Sequence, residues 1–320
     1  MFFMTLFIWA LVFLVSLFML VKGADFLLSS AEKIGLAIGL SPFIVGVTII
    51  AMGTSLPELV SSAVAVFQGF PEIVAANAIG SNIANILLIV GISSILARRL
   101  SVSKDLIDLD LPLIAIATAI FFVVASDAQI TFFESVFLLI TFIAYLGFSL
   151  VYKDDEADEE HELEALKASR PKIVFNDIFI LIIGLVGLSI GSHYLIESVV
   201  NLSEMLQIGV GVITITAVAI GTSLPELLVS GKAALRHQSE MALGNIFGSN
   251  IFNILVVVGL PGLFGTIILD TQTLTVGLPM LIIATILFVF SGISRRIHVQ
   301  EGSLFLLLYI IFMAKLFNLF

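Results

Sequence analysis

The sequence predicts an all-α polytopic membrane protein whose ten transmembrane helices form two five-helix repeats of inverted topology. Three observations predict this fold: an apolar composition, ten apolar runs of spanning length and a long internal repeat. Of the 320 residues, 59% are hydrophobic and 12% are charged, whereas a soluble domain carries roughly 25% charged residues. The composition therefore indicates a membrane protein.

Ten apolar runs are candidates for membrane-spanning helices, each of which needs about 20 residues. The first run has no Lys or Arg before it and is longer than the apolar core of a secretory signal, so we interpret it as a span. The ten runs lie near residues 2–21, 34–67, 72–97, 111–126, 131–152, 174–196, 209–235, 240–263, 273–291 and 302–319.

The positions of the basic residues predict how the chain is oriented. Lys22 directly follows the first run, which favours an N-terminus outside the cell. With ten spans, 13 of the 14 Lys and Arg residues then fall on the cytoplasmic side, and Lys315 is the exception. We therefore expect a multi-pass protein, embedded in the lipid bilayer, with both termini extracellular. The short loops and the lack of targeting signals favour the plasma membrane.

The internal repeat has an offset of 168 residues. Residues 51–62 agree with 219–230 at nine of twelve positions, and residues 72–91 agree with 240–259 at eleven of twenty. Because each copy holds five spans, an odd number, the second copy must enter the membrane from the opposite side. We expect a first repeat at 1–152 with its motif at 51–91, an acidic cytoplasmic linker at 153–172, and a second repeat at 173–320 with its motif at 219–259.

Several kinds of site and partner are not expected. The chain has no cysteine, which excludes disulfides and thiolate metal sites. The acidic linker lacks the glycine and ligand spacing of an EF-hand. We expect no cofactor, no nucleic-acid partner and no obligate protein partner.

The hexapeptide GTSLPE occurs twice, ending at Glu58 and at Glu226, and both glutamates lie inside apolar runs. The motif fits a helix start in which Ser55 and Glu58 form a capping box and Pro57 lies in the first turn. Its glycine and proline also interrupt the apolar run, and this break frees backbone carbonyls at membrane depth. A carboxylate at membrane depth costs at least about 2.5–3.5 kcal/mol, and a cap returns only about 1 kcal/mol. A bound cation could offset the difference, so we interpret both glutamates as ion ligands.

The second repeated motif reads NAIGSNIAN in the first copy and NIFGSNIFN in the other. Small residues at this spacing also pack helices together, and Ser and Asn form hydrogen bonds between helices. Next to a broken helix with a glutamate, however, the same polar face predicts oxygen ligands. Residues spaced by four share this face: Asn77, Ser81 and Asn85 in one copy, Asn245, Ser249 and Asn253 in the other.

The motifs supply carboxylates, hydroxyls, amide oxygens and free backbone carbonyls, which are all hard oxygen ligands. Calcium binds about 6–8 oxygens in flexible geometry, and sodium, of similar radius, accepts the same ligands. Two glutamates would neutralise one Ca²⁺ or two Na⁺, so one pocket could hold either ion in turn. The residues alone therefore indicate a cation transporter and do not select the cations.

With GTSLPE followed by a GNxxGSN-type segment once in each copy, the chain resembles the α-repeats of the sodium/calcium exchanger family, within the cation/calcium antiporters. The resemblance covers essentially the whole membrane chain. It implies ten transmembrane helices, with spans 2, 3, 7 and 8 around the ions and spans 1 and 6 sliding against them in alternating access. It also implies a transporter and not an enzyme, which exchanges three Na⁺ for one Ca²⁺ and moves one net charge per cycle.

The resemblance implies a set of ion ligands, position by position. Glu58 and Glu226 match the carboxylates that calcium and sodium share. The remaining ligands provide hydroxyl, amide or backbone oxygens: Thr54, Ser55, Thr222, Ser223, Ala51, Ala219, Ser81, Asn85, Ser249 and Asn253.

Two features depart from other members of that family. Asn253 stands where some members, the potassium-dependent ones among them, carry aspartate, which argues against K⁺ co-transport and leaves two carboxylates in the pocket. The linker at 153–172 is far too short for the calcium-sensing domains of the animal exchangers, so allosteric calcium activation is not expected.

Three other functions remain open. An antiporter of the same architecture that exchanges H⁺ for Ca²⁺, or another cation, would transport without sodium. An intramembrane protease would need an acid pair that shares a proton, and it gives no reason for the neighbouring Ser, Thr and Asn oxygens. A structural membrane protein, whose motifs only pack helices, would have no ion-dependent property to lose on Glu58→Gln substitution.

Overall fold

The computed structural model describes residues 2–40, 42–102, 110–151, 173–205 and 223–316. Within these ranges the chain is almost entirely helical, which confirms the all-α class. The α-helices are α1 Phe2–Ile38, α2 Pro42–Val45, α3 Ala51–Thr54, α4 Leu56–Phe67, α5 Glu72–Ile83, α6 Val90–Ala97, α7 Leu111–Ala125, α8 Phe132–Val151, α9 Phe175–Met205, α10 Leu224–Leu235, α11 Ser239–Phe252, α12 Gly259–Gly262, α13 Leu278–Ile293 and α14 Val299–Leu316.

Short π-helical segments and strands complete the described structure. The π-helical segments continue neighbouring α-helices at Gly46–Ile50, Ala84–Ile89, Asn253–Val257 and Thr273–Gly277. The strands are β1 Arg99–Ser101, β2 Gln129–Ile130, β3 Ile267–Ile268 and β4 Arg296–His298. The predicted linker at 153–172 lies outside the described residues.

Six described helical stretches are long and apolar enough to cross a membrane, which supports the multi-pass class. A seventh is formed if Pro42–Thr54 and Leu56–Phe67, bent by 41°, are one span. Two further apolar helices, Leu111–Ala125 and Phe175–Gly191, are shorter. The six long stretches are Met4–Ile38, Glu72–Ala97, Phe132–Ser149, Ser239–Gly262, Thr273–Ile293 and Val299–Leu316.

The predicted start of the second span, at residue 34, is wrong because α1 continues to Ile38. Gly39 ends this helix in a left-handed conformation with φ 87°. The Leu40 N–H then donates to the Gly35 carbonyl at 2.8 Å, as in a Schellman motif. Residues 34–38 are apolar enough to belong to either span, and it is the glycine that separates the two helices.

The repeat offset of 168 residues reappears in the structure. It maps α4 onto α10 with the same bounds, and it maps β1 onto residues 267–269, where β3 lies. It also maps β2 onto residues 297–298 of β4. Since β1 pairs with β4 and β2 pairs with β3, both antiparallel, each sheet takes one strand from each copy. The two sheets lie at opposite ends of α7 and α13. Adding 168 to the residue numbers of the first-copy strand in either sheet gives the second-copy strand of the other sheet.

Glycines bring the two longest helices, α1 and α9, into backbone contact. A Cβ added at Gly23 would lie 2.9 Å from the Gly184 carbonyl oxygen and 2.9 Å from the Leu188 nitrogen. One added at Gly191 would lie 3.0 Å from the Leu20 nitrogen. Small residues allow this close approach between membrane helices, so α1 and α9 form one packed pair.

A second close contact joins the copies beside the repeated motifs. A Cβ added at Gly244 of α11 would lie 2.5 Å from the Phe43 carbonyl oxygen. One added at Gly46 would lie 2.7 Å from the Met241 carbonyl oxygen. The α11 helix therefore lies directly against α2 and the π-helical segment Gly46–Ile50, just before the break that carries Glu58.

Candidate cation-binding site

The break that the first GTSLPE motif predicts lies at Ser55. This residue has φ −88° and ψ 5° and separates α3 from α4, whose first turn contains Pro57 and Glu58. Because proline has no N–H, Pro57 cannot donate to the Gly53 carbonyl one turn earlier. The break thus leaves a backbone acceptor next to the glutamate, whose side chain is fully buried.

The capping box does not form at either copy of the motif. Ser55 and Ser223 occupy the N-cap positions of α4 and α10, and neither makes a side-chain cap hydrogen bond. The side chain of Ser55 instead donates from Oγ to Oε1 of Glu226 at 2.9 Å. Neither serine side chain therefore caps its helix: Ser55 Oγ bonds to the other copy, and Ser223 Oγ has no described partner.

The first motif contacts the second motif directly. Thr54 Oγ1 lies 3.2 Å from Asn245 Oδ1 and 3.5 Å from Ser249 Oγ. Ser249 Oγ also lies 3.5 Å from the Ala51 carbonyl oxygen. The polar face of α11 therefore meets the broken helix of the other copy, and five predicted ligands from the two copies are brought together: Ala51, Thr54, Ser55, Glu226 and Ser249.

The helices that carry the glutamates pack crosswise. The α4 helix, with Glu58, contacts the π-helical segment that begins at Asn253 in the other copy. The α10 helix, with Glu226, contacts the π-helical segment that contains Asn85. Glu58 and Glu226 also lie close enough to interact electrostatically. Each glutamate-bearing helix thus packs on a π-helical segment of the opposite copy that holds a predicted asparagine ligand, and π-helical segments are frequent at functional sites.

Many oxygens of this site have no hydrogen-bond partner among the described residues. They include both carboxylate oxygens of Glu58, and both amide atoms of Asn85 and Asn253 are unpartnered too. A buried polar atom without a partner costs about 1–3 kcal/mol, and such groups cluster where an ion or water binds. The remaining unpartnered oxygens of predicted ligands are Ser81 Oγ, Ser223 Oγ and Glu226 Oε2.

All ten predicted ligands within the described ranges are buried, with exposed fractions of 3% or less. The other two, Ala219 and Thr222, lie in residues 206–222, outside the described part of the chain. Within that part there is no group of three or more His, Cys, Asp or Glu residues that could hold a metal. The candidate site is built differently, from one carboxylate pair surrounded by neutral oxygens.

Two buried serines next to the site, Ser62 and Ser230, were not among the predicted ligands, and each accepts a hydrogen bond from an asparagine of the predicted polar face. Asn245 donates from Nδ2 to Ser230 Oγ at 2.8 Å, and Asn77 donates to Ser62 Oγ at 3.2 Å. The two hydrogen bonds are equivalent, because the offset of 168 relates residue 62 to 230 and residue 77 to 245. Identity between the copies, with serine at both 62 and 230, was the signal that could have found these two residues.

A further contact links α5 to α11. Asn82 donates from Nδ2 to the Asn250 carbonyl oxygen at 2.8 Å, and both residues are buried. Each follows a predicted serine ligand, Ser81 or Ser249. The bond therefore holds the two ligand-bearing helices together across the repeat.

The chain matches one protein family over most of its length. Residues 8–151 and 176–318 match the family model described as sodium/calcium exchanger protein. The chain is 33% identical over 348 residues to sodium/calcium exchanger MaX1 of Methanosarcina acetivorans, a match that covers 96% of this chain and 98% of that protein. It is 36% identical over 307 residues to the uncharacterized membrane protein MJ0091 of Methanocaldococcus jannaschii, covering 95% and 96%.

The fold is also similar to solved structures. A structure of the sodium-calcium exchanger NCX_Mj soaked with 10 mM Na⁺ and zero Ca²⁺ has a TM-score of 0.83 to this chain at 33% identity. The similarity covers 97% of this chain and 99% of that chain. Both repeats therefore lie within the part that is similar.

Proposed function

The chain belongs to the sodium/calcium exchanger family, and from this premise we propose that it exchanges Na⁺ for Ca²⁺ across the membrane by alternating access. The family membership supports antiport of a cation against Ca²⁺. The choice of Na⁺ as the second ion is supported by the similar exchanger NCX_Mj, whose structures include one soaked with 2.5 mM Na⁺ and 0.1 mM Ca²⁺.

One observation carries this proposal. Two buried glutamates, one from each copy, are close enough to interact electrostatically, and most of the hydroxyl and amide groups proposed as their fellow ligands have no described partner. Two desolvated carboxylates without a cation would be strongly unfavourable. One Ca²⁺ or two Na⁺ would neutralise the two carboxylates, so binding either is favourable. Binding both at once is unfavourable, because the site would then carry excess positive charge. This mutual exclusion is the physical basis of exchange.

We propose the ligand set Glu58, Glu226, Thr54, Ser55, Thr222, Ser223, Ser81, Asn85, Ser249, Asn253, Ala51 and Ala219. The contacts of Thr54, Ser55, Ser249 and Ala51 across the repeat support a single pocket built from both copies. Thr222 and Ala219 are included only because the repeat relates them to Thr54 and Ala51.

A stoichiometry of three Na⁺ to one Ca²⁺ follows from the family resemblance and makes the cycle electrogenic. One net charge then crosses the membrane in each cycle, and a potential of 100 mV contributes about 2.3 kcal/mol to it. Transport independent of K⁺ is supported by Asn253, because the neutral amide leaves the site with two carboxylates. We expect no enzymatic activity.

The proposed architecture has ten membrane helices in two inverted five-helix repeats, 1–152 and 173–320, joined by a cytoplasmic linker. The inversion is supported by the two strand pairs, which lie at opposite ends of α7 and α13. The repeat offset relates the strands of one pair to those of the other. In this arrangement α1 and α9 move as a pair against the ion-binding helices. The distribution of basic residues supports an orientation with both termini outside, and the short loops support a plasma-membrane location.

Calcium uptake into proteoliposomes tests the function directly. Purified protein is reconstituted, loaded with Na⁺ and diluted into Na⁺-free buffer that contains ⁴⁵Ca²⁺. We expect uptake that requires the outward Na⁺ gradient, is unchanged when K⁺ is omitted and is accelerated by an inside-positive potential.

The Glu58→Gln protein and vesicles with equal Na⁺ on both sides are the controls, and both should lack uptake. Uptake that persists without Na⁺ and follows a pH gradient would replace Na⁺ by H⁺ in the proposal. Uptake that is insensitive to membrane potential would contradict the stoichiometry of three to one.

A further inference from the structure

An apolar groove runs between α7 and α13 on the membrane-facing surface. Its volume is about 400 Å³, and its lining is almost entirely apolar, with Ala115, Ala119 and Phe122 from α7 and Ile282, Val289 and Phe290 from α13. Phe122 and Phe290 are exposed at its rim. None of the lining residues belongs to the carboxylate site.

The two threonines in the groove do not make it polar. Thr285 donates its hydroxyl to the Leu281 carbonyl of its own helix at 2.9 Å, and its side chain is buried, as is that of Thr118. In the hydrocarbon region of a bilayer, the molecules available to fill such a groove are lipid chains.

Four exposed arginines lie at one end of the groove, and we call them the arginine cluster: Arg98, Arg99, Arg295 and Arg296. They are held together by the pairing of β1 with β4, in which Ser101 faces Arg296, and by the Val102 N–H, which donates to the Arg295 carbonyl at 2.9 Å.

The arginine cluster is close to the groove along both helices. Arg295 follows Phe290 by five residues, a rise of about 7.5 Å if measured along a helix. Gly292, near the end of α13, lies against Leu111 at the start of α7. The same end of the groove is therefore bordered by both helices and by the arginine cluster.

The arginines are not neutralised by the described part of the chain. None of them forms an ion pair with an acidic residue there. Glu301, close in sequence to β4, instead accepts a hydrogen bond from the His298 backbone N–H at 2.8 Å. This concentration of positive charge occurs in a chain whose net charge is −10.

The opposite end of the groove has the opposite charge. Asp127 lies two residues after the end of α7, and Asp270 lies three residues before the π-helical segment Thr273–Gly277 that leads into α13. The charge difference along the groove defines a direction for any charged amphiphile that binds in it, with the anionic group towards the arginine cluster.

We propose that the groove and the arginine cluster together bind an anionic phospholipid, with its phosphate on the arginines and an acyl chain in the groove. Guanidinium groups match phosphate oxygens with paired hydrogen bonds. Each basic residue at an anionic lipid surface contributes about fivefold to binding, equivalent to about 1 kcal/mol. The site does not depend on the proposed ion exchange.

Native mass spectrometry of the full-length protein in detergent tests the proposal, with dioleoylphosphatidylglycerol and the zwitterionic dioleoylphosphatidylcholine as probes. We expect phosphatidylglycerol to bind more tightly than phosphatidylcholine. The Arg295→Gln/Arg296→Gln protein should bind phosphatidylglycerol roughly 30-fold more weakly, since it lacks two of the four charges.

Two further variants separate the site from general charge attraction. Ala119→Phe fills the groove without changing any charge and should also weaken phosphatidylglycerol binding, whereas Lys315→Gln removes a positive charge elsewhere and should leave it unchanged. Equal affinity for the two lipids would overturn the proposal. So would unchanged phosphatidylglycerol binding in the double arginine variant or in Ala119→Phe. Arg98→Gln/Arg99→Gln replaces the first double variant if that protein does not fold.

Discussion

Ser55 of the first GTSLPE motif donates a hydrogen bond to Glu226 of the second, with 2.9 Å between Oγ and Oε1. The two residues are 171 positions apart and both are buried. The bond joins the break of one copy to the carboxylate of the other, so neither motif forms the site by itself. It also orients one carboxylate oxygen and leaves the other, Oε2, without a described partner.

Ser55→Ala should weaken the apparent affinity for Ca²⁺ roughly 10-fold, because a hydrogen bond to a charged group contributes about 1.5–3 kcal/mol and water can replace part of it. The concentration dependence of ⁴⁵Ca²⁺ uptake measures this change. Ser61→Ala is the matched control, since that hydroxyl is on the exposed side of the same helix and donates to the Glu58 carbonyl at 3.0 Å. Equal effects of the two substitutions would argue against a role of the Ser55–Glu226 bond.

Glu58→Gln should raise the thermal unfolding temperature in ion-free buffer. Both carboxylate oxygens are buried without a described partner, and replacing an uncompensated buried charge by a neutral group removes a desolvation cost of several kcal/mol. Ca²⁺ at about 100 times its Kd should stabilise the wild-type protein by about 2.7 kcal/mol and leave the variant unchanged. Differential scanning fluorimetry with and without Ca²⁺ measures both effects, and a variant that Ca²⁺ still stabilises would remove Glu58 from the ligand set.

Gly23→Ala should destabilise the protein by about 1–3 kcal/mol, as overpacking does. Its new methyl group would meet two backbone atoms of α9 at 2.9 Å, and backbone atoms cannot move aside as side chains do. The unfolding temperature in detergent reports the change. Gly147→Ala is the control, because that helical glycine is exposed and has no neighbouring atom within 4 Å among the described residues; it should be neutral or slightly stabilising.

Asp25→Asn should shift the balance between the two conformations of alternating access. Asp25 of α1 pairs with Lys232 at 2.9 Å and with Arg236 at 2.8 Å, both at the end of α10. The positions related by the repeat are His193, Val64 and Gln68, which cannot form this pair. The contact therefore stabilises one of the two conformations and not the one related to it by the repeat. We expect a free-energy difference of about 1 kcal/mol, or about fivefold in population.

Electron paramagnetic resonance can measure that shift, because the chain has no cysteine and labels attach only where cysteines are introduced. Spin labels at the exposed Phe26 and Leu235 positions report the distance between α1 and α10. Asp25→Asn should increase a second distance population, whereas His193→Gln, at the related position, should not. An unchanged distance distribution in Asp25→Asn would contradict the expected role of the ion pair.

The sequence was informative about the site because its ligands are polar residues in apolar runs. Spacing by four predicted the shared face of Ser81 and Asn85, and glycine and proline predicted the break at Ser55. The partners across the repeat were not predictable, since a capping box and a contact with Glu226 use the same serine. Local pattern cannot choose between them without the packing of α11 against the other copy.

The boundaries of the fold were less predictable for similar reasons. The α1 helix continues through Lys33 and Gly35 without a break. The charged side chain of Lys33 does not end the helix, because its Nζ forms an ion pair with Asp177 Oδ1 at 2.7 Å. The strands β1 and β4 have three residues each, too few for an alternating pattern to be recognised. Hydropathy therefore predicts the membrane spans well, but it predicts the helix boundaries and the short strands between helices poorly.

Equilibrium binding of Ca²⁺ to the purified protein tests the central claim most directly, namely that one carboxylate from each copy completes a single site. We predict one Ca²⁺ per chain by calorimetry, its displacement by Na⁺ with a Hill coefficient above one, and loss of binding in Glu58→Gln and in Glu226→Gln alike. Binding that survives either substitution in a folded protein, or two independent Ca²⁺ sites per chain, would contradict the claim.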